Sequence, residues 1–429
     1  MFLNSTGVKI AGLALLSCIL SCLPAMVSEE PIEDLIGTGL SLGCSAGDVT
    51  PHGAILWVRA KDESQVSVHY GKESNLRQFT HLGRVKVTDE TDFTTKFRLD
   101  GLEPKTVYFY RGAVIGKKPG PICHFVTAPL PDDRVDVQFA FSGDTREMYK
   151  PFSIMDSIRA MRPEFFLFLG DTIYADREGV ASELSQFWGK YARNRNDPPT
   201  RRLLSETGIY VTWDDHEVEN DFGGSHPLAP IGRRAFIDYW PVRQDTNDPA
   251  RLYRSFRWGR AAEILILDTR QYRDPHQGTI LGTRQKEWFL ETLASSTAWF
   301  KFVATSVSFS SSKSDRWGGF SKERDEILNF IAEKKINGVV FLSADLHFAA
   351  VANVGGELRI KEYIVGPMAA PLNWLAIGYE KSFEFFSNDS YNYGFVKIYA
   401  GANPPYAEIK ILDQNNKLLH KSRITASLP

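Results

Sequence analysis

Five short apolar segments of this chain each end at an acidic or histidine-containing turn, and this repetition constrains the fold more than any other feature. The segments cover residues 139–141, 165–169, 209–212, 264–267 and 339–342. Short continuous apolar runs are typical of strands that are buried on both faces of a sheet covered by helices. In such folds ligands bind at the carboxyl ends of the strands. We therefore expect the five turns to meet along one rim.

The turns that follow these segments carry carboxylates, histidines and a tyrosine. They read Ser142-Gly143-Asp144, Gly170-Asp171-Thr172-Ile173-Tyr174, Trp213-Asp214-Asp215-His216-Glu217, Asp268-Thr269-Arg270 and Ser343-Ala344-Asp345-Leu346-His347. Carboxylates that are crowded together repel one another unless a cation lies among them. Hard divalent and trivalent metal ions prefer such oxygen ligands. The rim therefore predicts a metal site, and a carboxylate shared between two ions would hold them about 3.5–4 Å apart.

Each turn also has an ordinary structural interpretation. An aspartate that follows a glycine, as Asp144 does, is common turn chemistry, and a single histidine is more often structural than a ligand. Two spacings are more specific than this. Asp171 lies three residues before Tyr174, so both can reach one ion, and Asp345 and His347 alternate along an extended segment and so face the same side. The whole pattern, rather than any one residue, predicts the metal site.

Length and composition predict an ordinary globular protein of two domains, and its balanced charge gives no indication of nucleic-acid or membrane binding. The chain has 429 residues, and its 50 basic side chains nearly balance 52 acidic ones, so no field steers it onto nucleic acid or a membrane. Residues 37–130 contain alternating strand segments without a helix, which predicts a β-sandwich. Residues 133–425 alternate strands with helices that start near Thr283 and Ser321, which predicts an α/β domain.

Residues 1–30 have the layout of a secretory signal, with a positive charge, an apolar stretch and small residues in turn. Cys18 and Cys22 each end a segment that resembles a bacterial lipoprotein cleavage box, so signal cleavage and a lipid anchor both stay open. We expect an exported protein that is periplasmic, secreted or lipid-anchored at the cell envelope. After removal of the signal Cys44 and Cys123 would remain, and the sequence leaves their pairing open.

Together the motifs resemble the PhoD-like (alkaline phosphatase D) branch of the calcineurin-like metallophosphoesterases. Further phrases that carry the resemblance are Leu267-Asp268-Thr269-Arg270-Gln271-Tyr272-Arg273, Asp315-Arg316-Trp317-Gly318-Gly319-Phe320, Cys44-Ser45-Ala46-Gly47-Asp48 and Leu56-Trp57-Val58-Arg59. The resemblance covers nearly the whole chain beyond the signal. It implies an α/β protein in which an N-terminal immunoglobulin- or fibronectin-like β-sandwich precedes a four-layer αββα catalytic domain.

The resemblance also implies a dinuclear metal centre with six ligands: Asp144, Asp171, Tyr174, Asp215, Asp345 and His347. Asp171 would bridge the two ions, and Tyr174 would bind a ferric ion as a phenolate. Asp215 and Asp345 occupy positions where many relatives have an asparagine and a histidine. Carboxylates there make the second site harder, which favours calcium over zinc. We therefore expect Fe³⁺ with Ca²⁺, with other divalent ions as the alternative.

Two departures from the family pattern leave the ligands of the first metal open. Relatives usually supply a further ligand directly after the first aspartate, where this chain has Thr145-Arg146. Many relatives also carry a histidine in the segment that corresponds to residues 303–309, and this chain has none there.

The expected reaction is hydrolysis of a phosphoester by a metal-bound hydroxide. His216 would contact or protonate the leaving-group oxygen. Arg270 would bind phosphate oxygens, with Arg273 as second choice, and Asn220 would add a neutral donor. A structural ion pair between Arg270 and Asp268 is the alternative interpretation of that arginine.

We expect a monomer that acts on small phosphate monoesters, on phospholipid- or nucleotide-type diesters, or on both. One alternative is a phospholipase D-like phosphodiesterase, which needs more room around the second ester. Four aromatic residues would line such a cleft or simply pack in the core: Tyr149, Trp188, Trp317 and Trp374. A second alternative is an exported binding protein that has lost catalysis. The intact carboxylates argue against it, since a protein without catalytic activity has no physical reason to keep several carboxylates together.

Overall fold

The computed structural model describes residues 35–376 and 382–427, so the predicted signal over residues 1–30 lies outside the described residues. The strands are β1 (Leu40–Thr50), β2 (Gly53–Ala60), β3 (Ser64–Gly71), β4 (Thr80–Val87), β5 (Thr94–Asp100), β6 (Val107–Val114), β7 (Cys123–Val126), β8 (Val137–Ser142), β9 (Phe165–Leu169), β10 (Gly208–Thr212), β11 (Arg254–Trp258), β12 (Ala262–Ile266), β13 (Phe300–Ala304), β14 (Val339–Ser343), β15 (Ala349–Val354), β16 (Ile360–Ile364), β17 (Phe385–Ser387), β18 (Asn392–Tyr399), β19 (Tyr406–Asp413) and β20 (Leu418–Thr425). The α-helices are α1 (Ile154–Ala160), α2 (Leu184–Arg195), α3 (Pro198–Glu206), α4 (Ala229–Tyr239), α5 (Gly282–Ser295) and α6 (Ser321–Glu333).

The described strands form three sheets. The largest has nine strands in the order β20-β19-β18-β8-β9-β10-β1-β2-β5, and the second has seven in the order β11-β12-β13-β14-β16-β15-β17. A third, of four strands, has the order β4-β3-β6-β7. Within the nine-stranded sheet β8, β9 and β10 run parallel, and within the seven-stranded sheet β12, β13, β14 and β16 run parallel. Parallel strands end at the same edge, so each large sheet has a rim of carboxyl ends.

The two large sheets pack face to face through an aromatic core. The ring of Phe139 in β8 lies 5.1 Å from that of Phe302 in β13, and Phe165 in β9 lies 4.6 Å from Trp258 in β11, measured between centroids. Helices α1 to α4 cover the outer face of the nine-stranded sheet, and α5 and α6 cover that of the seven-stranded one. Helix, sheet, sheet and helix thus form four layers, which confirms the expected fold class.

The amino-terminal strands form two sheets that share a core, and one of these sheets continues into the nine-stranded sheet. Strand β1 pairs in parallel with β10 and in antiparallel with β2, which pairs with β5. The four-stranded sheet shares its core with these strands, and a disulfide between Cys44 and Cys123 links β1 to β7. The domain limits 37–130 and 133–425 stay predictions.

Later segments also pair in ways that their local patterns do not encode. Strand β16 lies inside the seven-stranded sheet between β14 and β15, whereas β18, β19 and β20 extend the nine-stranded sheet. Helix α6 begins at Ser321 as predicted, and α5 begins at Gly282, one residue before Thr283. No α-helix in the described ranges combines the length and the apolar character that a membrane span requires.

Candidate metal centre

The predicted turns meet where the carboxyl ends of the two large sheets face each other. Asp144 follows β8, Asp171 follows β9 and Asp215 follows β10, all from the nine-stranded sheet. Asp345 and His347 follow β14 of the seven-stranded sheet. The rim that we expected along one sheet is therefore built by two sheets, with carboxylates arriving from both sides.

The backbone at four of the candidate ligands is left-handed. The φ angles are 68° at Asp144, 52° at Asp171, 67° at Asp345 and 57° at His347. Residues other than glycine seldom adopt this conformation, and such strain concentrates at functional sites. The turns therefore hold these side chains in directions that an extended strand end would not give them.

The side chains that surround the rim offer ligand atoms in three groups. Within each group the atoms lie within 4.8 Å of one another, and the groups are Asp144 with Asp171 and His347, Asp171 with Asp215 and His216, and Asp214 with Asp215 and Asp345. Asp171 belongs to the first two groups, which is the arrangement that a carboxylate shared by two ions requires.

The first group contains a buried oxygen and a neutral nitrogen that suit a cation. Asp144 is 1 % exposed, and its Oδ2 has no hydrogen-bond partner among the described residues. Nδ1 of His347 donates to the carbonyl of Pro371 at 2.6 Å, which leaves Nε2 as an acceptor 3.6 Å from Asp144 Oδ1 and 3.1 Å from the Tyr174 hydroxyl. Burial lowers the pKa of His347 to about 4, so this ring is neutral at physiological pH.

The carboxylates at the centre lack enough positive charge from the protein. Burial, together with the charges of nearby aspartates, raises the pKa of Asp144 and of Asp171 well above the ordinary value. Burial and the same charges raise the pKa of the Tyr174 phenol. A bound cation removes this penalty, because it favours the charged form of each ligand. The donor set therefore fits a metal centre.

Arg270 is completely buried and pairs with aspartates that belong to the site. Its Nε donates to Asp214 Oδ1, and its Nη2 lies 3.6 Å from Asp215 Oδ1. The pKa of Asp215 stays below the ordinary value despite burial, because Arg270 and His216 oppose protonation. Asp268, the predicted alternative partner, accepts hydrogen bonds from Trp213 Nε1 at 2.8 Å and from the backbone N–H of Arg270 at 3.1 Å. Nη1 and Nη2 of Arg270 have no hydrogen-bond partner within the described part of the chain.

Asp345 already has a cationic partner from the chain itself. Both of its oxygens accept from Arg316, one of them from Nη2 at 2.9 Å. In the sequence, Arg316 stands out only as part of a motif shared with the family, so its ion pair with Asp345 was not predicted. Arg273, the second choice for phosphate binding, donates from Nε to the backbone of Thr269 and is 6 % exposed.

His216 is held by a carboxylate that the sequence analysis missed. Its Nδ1 lies 2.7 Å from Asp176 Oδ1, and its ring stacks on that of Tyr174 at 4.1 Å between centroids. Burial lowers the pKa of His216, but the hydrogen bond to Asp176 and the charges of Asp215 and Asp176 outweigh it and raise the pKa. Asn220 is exposed and donates through its backbone N–H to Asp176 at 3.2 Å. Asp176 lies only two residues after Tyr174, and this closeness to a candidate ligand in the sequence could have identified it.

Glu217, also missed, joins two of the turns. Its buried carboxylate accepts from the backbone N–H groups of Asp171 at 3.1 Å, Thr172 at 2.6 Å and Asp214 at 2.7 Å. Thr145 makes a second connection, because its backbone N–H donates to the carbonyl of Asp171 at 2.8 Å. These contacts fix the turn after β9 against those after β8 and β10.

Hydroxyl side chains occupy the two positions at which this sequence departs from the family pattern, directly after Asp144 and within residues 303–309. Thr145 Oγ1 donates to the carbonyl of Thr172 at 3.2 Å. In the segment without a histidine, Ser306 Oγ donates to Asp214 Oδ1 at 2.8 Å. Both hydroxyls therefore support the turns through hydrogen bonds to residues of the rim.

Comparisons with known proteins agree with this geometry. Residues 139–372 match the family described as PhoD-like phosphatase, and residues 28–129 match the PhoD-like phosphatase N-terminal domain. Alkaline phosphatase D of Bacillus subtilis is 27% identical over 421 residues, which cover 82% of this chain and 72% of the relative. A phosphoenolpyruvate phosphatase of Allium cepa is 27% identical over 199 residues, 44% of this chain and 37% of that protein.

Two solved structures share the fold. The structure of PhoD superposes with a TM-score of 0.77 at 21% identity and covers 92% of this chain and 93% of its own. The purple acid phosphatase PPD1 from yellow lupin (Lupinus luteus) seeds superposes with a TM-score of 0.65 at 14% identity, covering 91% of this chain and 75% of its own.

Replacing Gly366 by alanine should damage the first ligand group directly. The Gly366 backbone has a φ of +96°, and an added Cβ would collide with Asp144 Oδ2. We expect Gly366→Ala to lower both metal content and phosphatase activity. Gly101→Ala is the matched control, because Gly101 has a φ of +74° and open space around it. Both variants carry left-handed strain of about 1–2 kcal/mol, so an equal loss of activity in both would contradict the contact.

Replacing Asp176 by asparagine should impair His216 without removing it. The loss of kcat/KM should be at least about 10-fold greater with an alkyl phosphate than with a nitrophenyl phosphate, because only the poor leaving group needs a proton. Asp156→Asn, which changes a surface carboxylate that binds Arg202, is the control. Equal losses on both substrates would show that Asp176 does not act through proton transfer at His216.

Proposed function

We propose that this chain, which belongs to the PhoD-like phosphatase family and hydrolyses phosphate esters, acts through a dinuclear metal centre. We propose that its substrates include both monoesters and diesters. The observation that carries the proposal is the position of Asp171. Its carboxylate shares one ligand group with Asp144 and His347 and another with Asp215. Two cations that share Asp171 would neutralise a buried cluster whose charge Arg270 and Arg316 compensate only in part.

The chemistry of the donors supports Fe³⁺ in the first group and Ca²⁺ in the second. Asp144, Tyr174 and His347 would hold the iron with Asp171, since a phenolate and a neutral imidazole suit a ferric ion. Asp215 would hold the calcium with Asp171, since carboxylates suit a hard cation. Asp345 joins this second set only by giving up a hydrogen bond from Arg316.

The cations, when bound, supply positive charge for the phosphate oxygens and make water a better nucleophile. A water oxygen would form a bond to phosphorus while the bond from phosphorus to the leaving-group oxygen breaks, and the proton that the water loses would pass to solvent. Nε2 of His216 carries a proton to the departing oxygen, and Asp176 fixes the ring by accepting from Nδ1 at 2.7 Å. Nη1 and Nη2 of Arg270 have no hydrogen-bond partner among the described residues and would donate to the phosphate.

We propose that the protein is located outside the cytoplasm. The signal-like pattern of residues 1–30 supports export, and the disulfide between Cys44 and Cys123 suits an oxidising compartment. Periplasmic, secreted and lipid-anchored forms are all compatible with these two features, and cell fractionation with and without globomycin, which blocks lipoprotein processing, separates them.

The function is tested on purified protein with nitrophenyl phosphate and bis(nitrophenyl) phosphate. Chelation should abolish hydrolysis of both esters, and adding iron together with calcium should restore it. Circular dichroism after chelation controls for unfolding. Full activity of a metal-free protein would contradict the metal centre, and no hydrolysis by metal-loaded protein would contradict the proposed function itself.

A further inference from the structure

A fully buried arginine outside the metal centre lacks an acidic partner among the described residues. Arg195, the last residue of α2, is 1% exposed, and no carboxylate of the described ranges pairs with it. Its Nη2 donates to Ser45 Oγ in β1 at 2.9 Å, whereas its Nε and Nη1 have no hydrogen-bond partner in those ranges. Burying a charge without a group of opposite charge is strongly unfavourable. Arg195 therefore needs compensation from outside the described side chains.

The aromatic rings around Arg195 compensate its charge only in part. The guanidinium carbon lies 3.9 Å from the ring centroid of Trp57 and 5.0 Å from that of Trp240. The face of an aromatic ring attracts a cation but has no lone pair to accept from an N–H group. Burial lowers the pKa of Arg195 to about 9, so the side chain still carries its charge at physiological pH.

A small internal cavity borders the guanidinium. Its volume is about 10 Å³, which is room for one particle of the size of a water molecule. All ten residues around it are at most 6% exposed. Besides Arg195, the residues that line it with polar side-chain atoms are Thr145, Thr172, Tyr191, Asn194, Thr200 and Trp240.

Among the side chains that line this cavity, the unpartnered donors outnumber the unpartnered acceptors. Nε and Nη1 of Arg195 and Nε1 of Trp240 can only donate, and the hydroxyl of Tyr191 can donate or accept. Oδ1 of Asn194 can only accept. A water molecule would add two further donor hydrogens and would leave the positive charge uncompensated. A small anion accepts from several donors and carries the opposite charge, so the cavity favours an anion.

We propose that the cavity beside Arg195 binds one chloride ion. A phosphate or a carboxylate group contains several non-hydrogen atoms and exceeds the room for one water-sized particle. The ion would accept from Arg195 at the end of α2 and from Trp240, which directly follows α4. It would thus join these two helices to β1, whose Ser45 already holds the same guanidinium.

The cavity also touches the support of the metal centre. Nδ2 of Asn194 donates to the carbonyls of Thr145 and Thr172, at 2.9 Å in both cases. These two threonines directly follow Asp144 and Asp171. A chloride ion beside Arg195 therefore stabilises the helix end that holds the first two turns of the centre. The site uses none of the candidate metal ligands, so the inference does not depend on the proposed function.

The first test measures the thermal unfolding midpoint of the purified protein as chloride replaces gluconate at constant ionic strength. Gluconate is far too large for the cavity. Arg195→Gln removes the buried charge, and Trp240→Phe removes the indole N–H while keeping an aromatic ring. Arg202→Gln is the matched control, because it removes an exposed cation of α3 that pairs with Asp156.

We expect chloride to raise the Tm of wild type and of Arg202→Gln by at least about 2 °C, because a ligand that binds only the folded chain stabilises it. Arg195→Gln should lose this increase, and Trp240→Phe should show a smaller one. No increase in wild type, or an equal increase in wild type and Arg195→Gln, would overturn the inference.

Crystals of the wild-type protein grown in sodium bromide give a second test that needs no variant. Bromide has the charge of chloride and is only slightly larger, and it scatters anomalously at its absorption edge. We expect a bromide peak in the cavity within hydrogen-bond reach of Nε or Nη1 of Arg195. A cavity that holds water alone would overturn the inference. A bromide peak without any dependence of Tm on chloride would show an adventitious ion only and would overturn it as well.

Discussion

The repulsion among buried carboxylates at the facing sheet edges is the constraint on which the rest of the site depends. Asp144, Asp171 and Asp215 are each at most 3% exposed and arrive from neighbouring parallel strands. Taking such groups out of water costs several kcal/mol each unless positive charge compensates. The protein supplies part of that charge through Arg270 and Arg316, which pair with Asp214, Asp215 and Asp345, and among the described residues Asp144 Oδ2 has no hydrogen-bond partner. A cation is required where the arginines do not reach.

The same constraint explains why so much of the surrounding structure serves to hold turns in place. The backbone is left-handed at Asp144, Asp171, Asp345 and His347, and this strain persists only if neighbouring contacts enforce it. Glu217 supplies such contacts by accepting from three backbone N–H groups, and Thr145 adds another between the first two turns. Asp176 does the same for the ring of His216. Rigid support of this kind keeps the reacting groups aligned without reorganisation during the reaction.

The sequence predicted the strand ends and their chemistry because both are local properties. An apolar run followed by Gly-Asp is visible without knowledge of the fold, and parallel strands bring such turns together. The supporting residues could not be predicted in this way. Arg316 is 29 residues from Asp345, and Glu217 is 46 from Asp171, so their pairing depends on which strands become neighbours. For the same reason the placement of β16 and β18 in different sheets could not be predicted from their local patterns.

Anomalous X-ray diffraction from crystals of the native protein, recorded on both sides of the iron absorption edge, tests whether Asp171 is shared by two ions. We expect two cation peaks that both lie within coordination distance of Asp171. The peak beside Asp144, Tyr174 and His347 should show the iron edge, and the peak beside Asp215 should not. A single peak, or two peaks of which one does not touch Asp171, would contradict the shared carboxylate on which the proposed function rests.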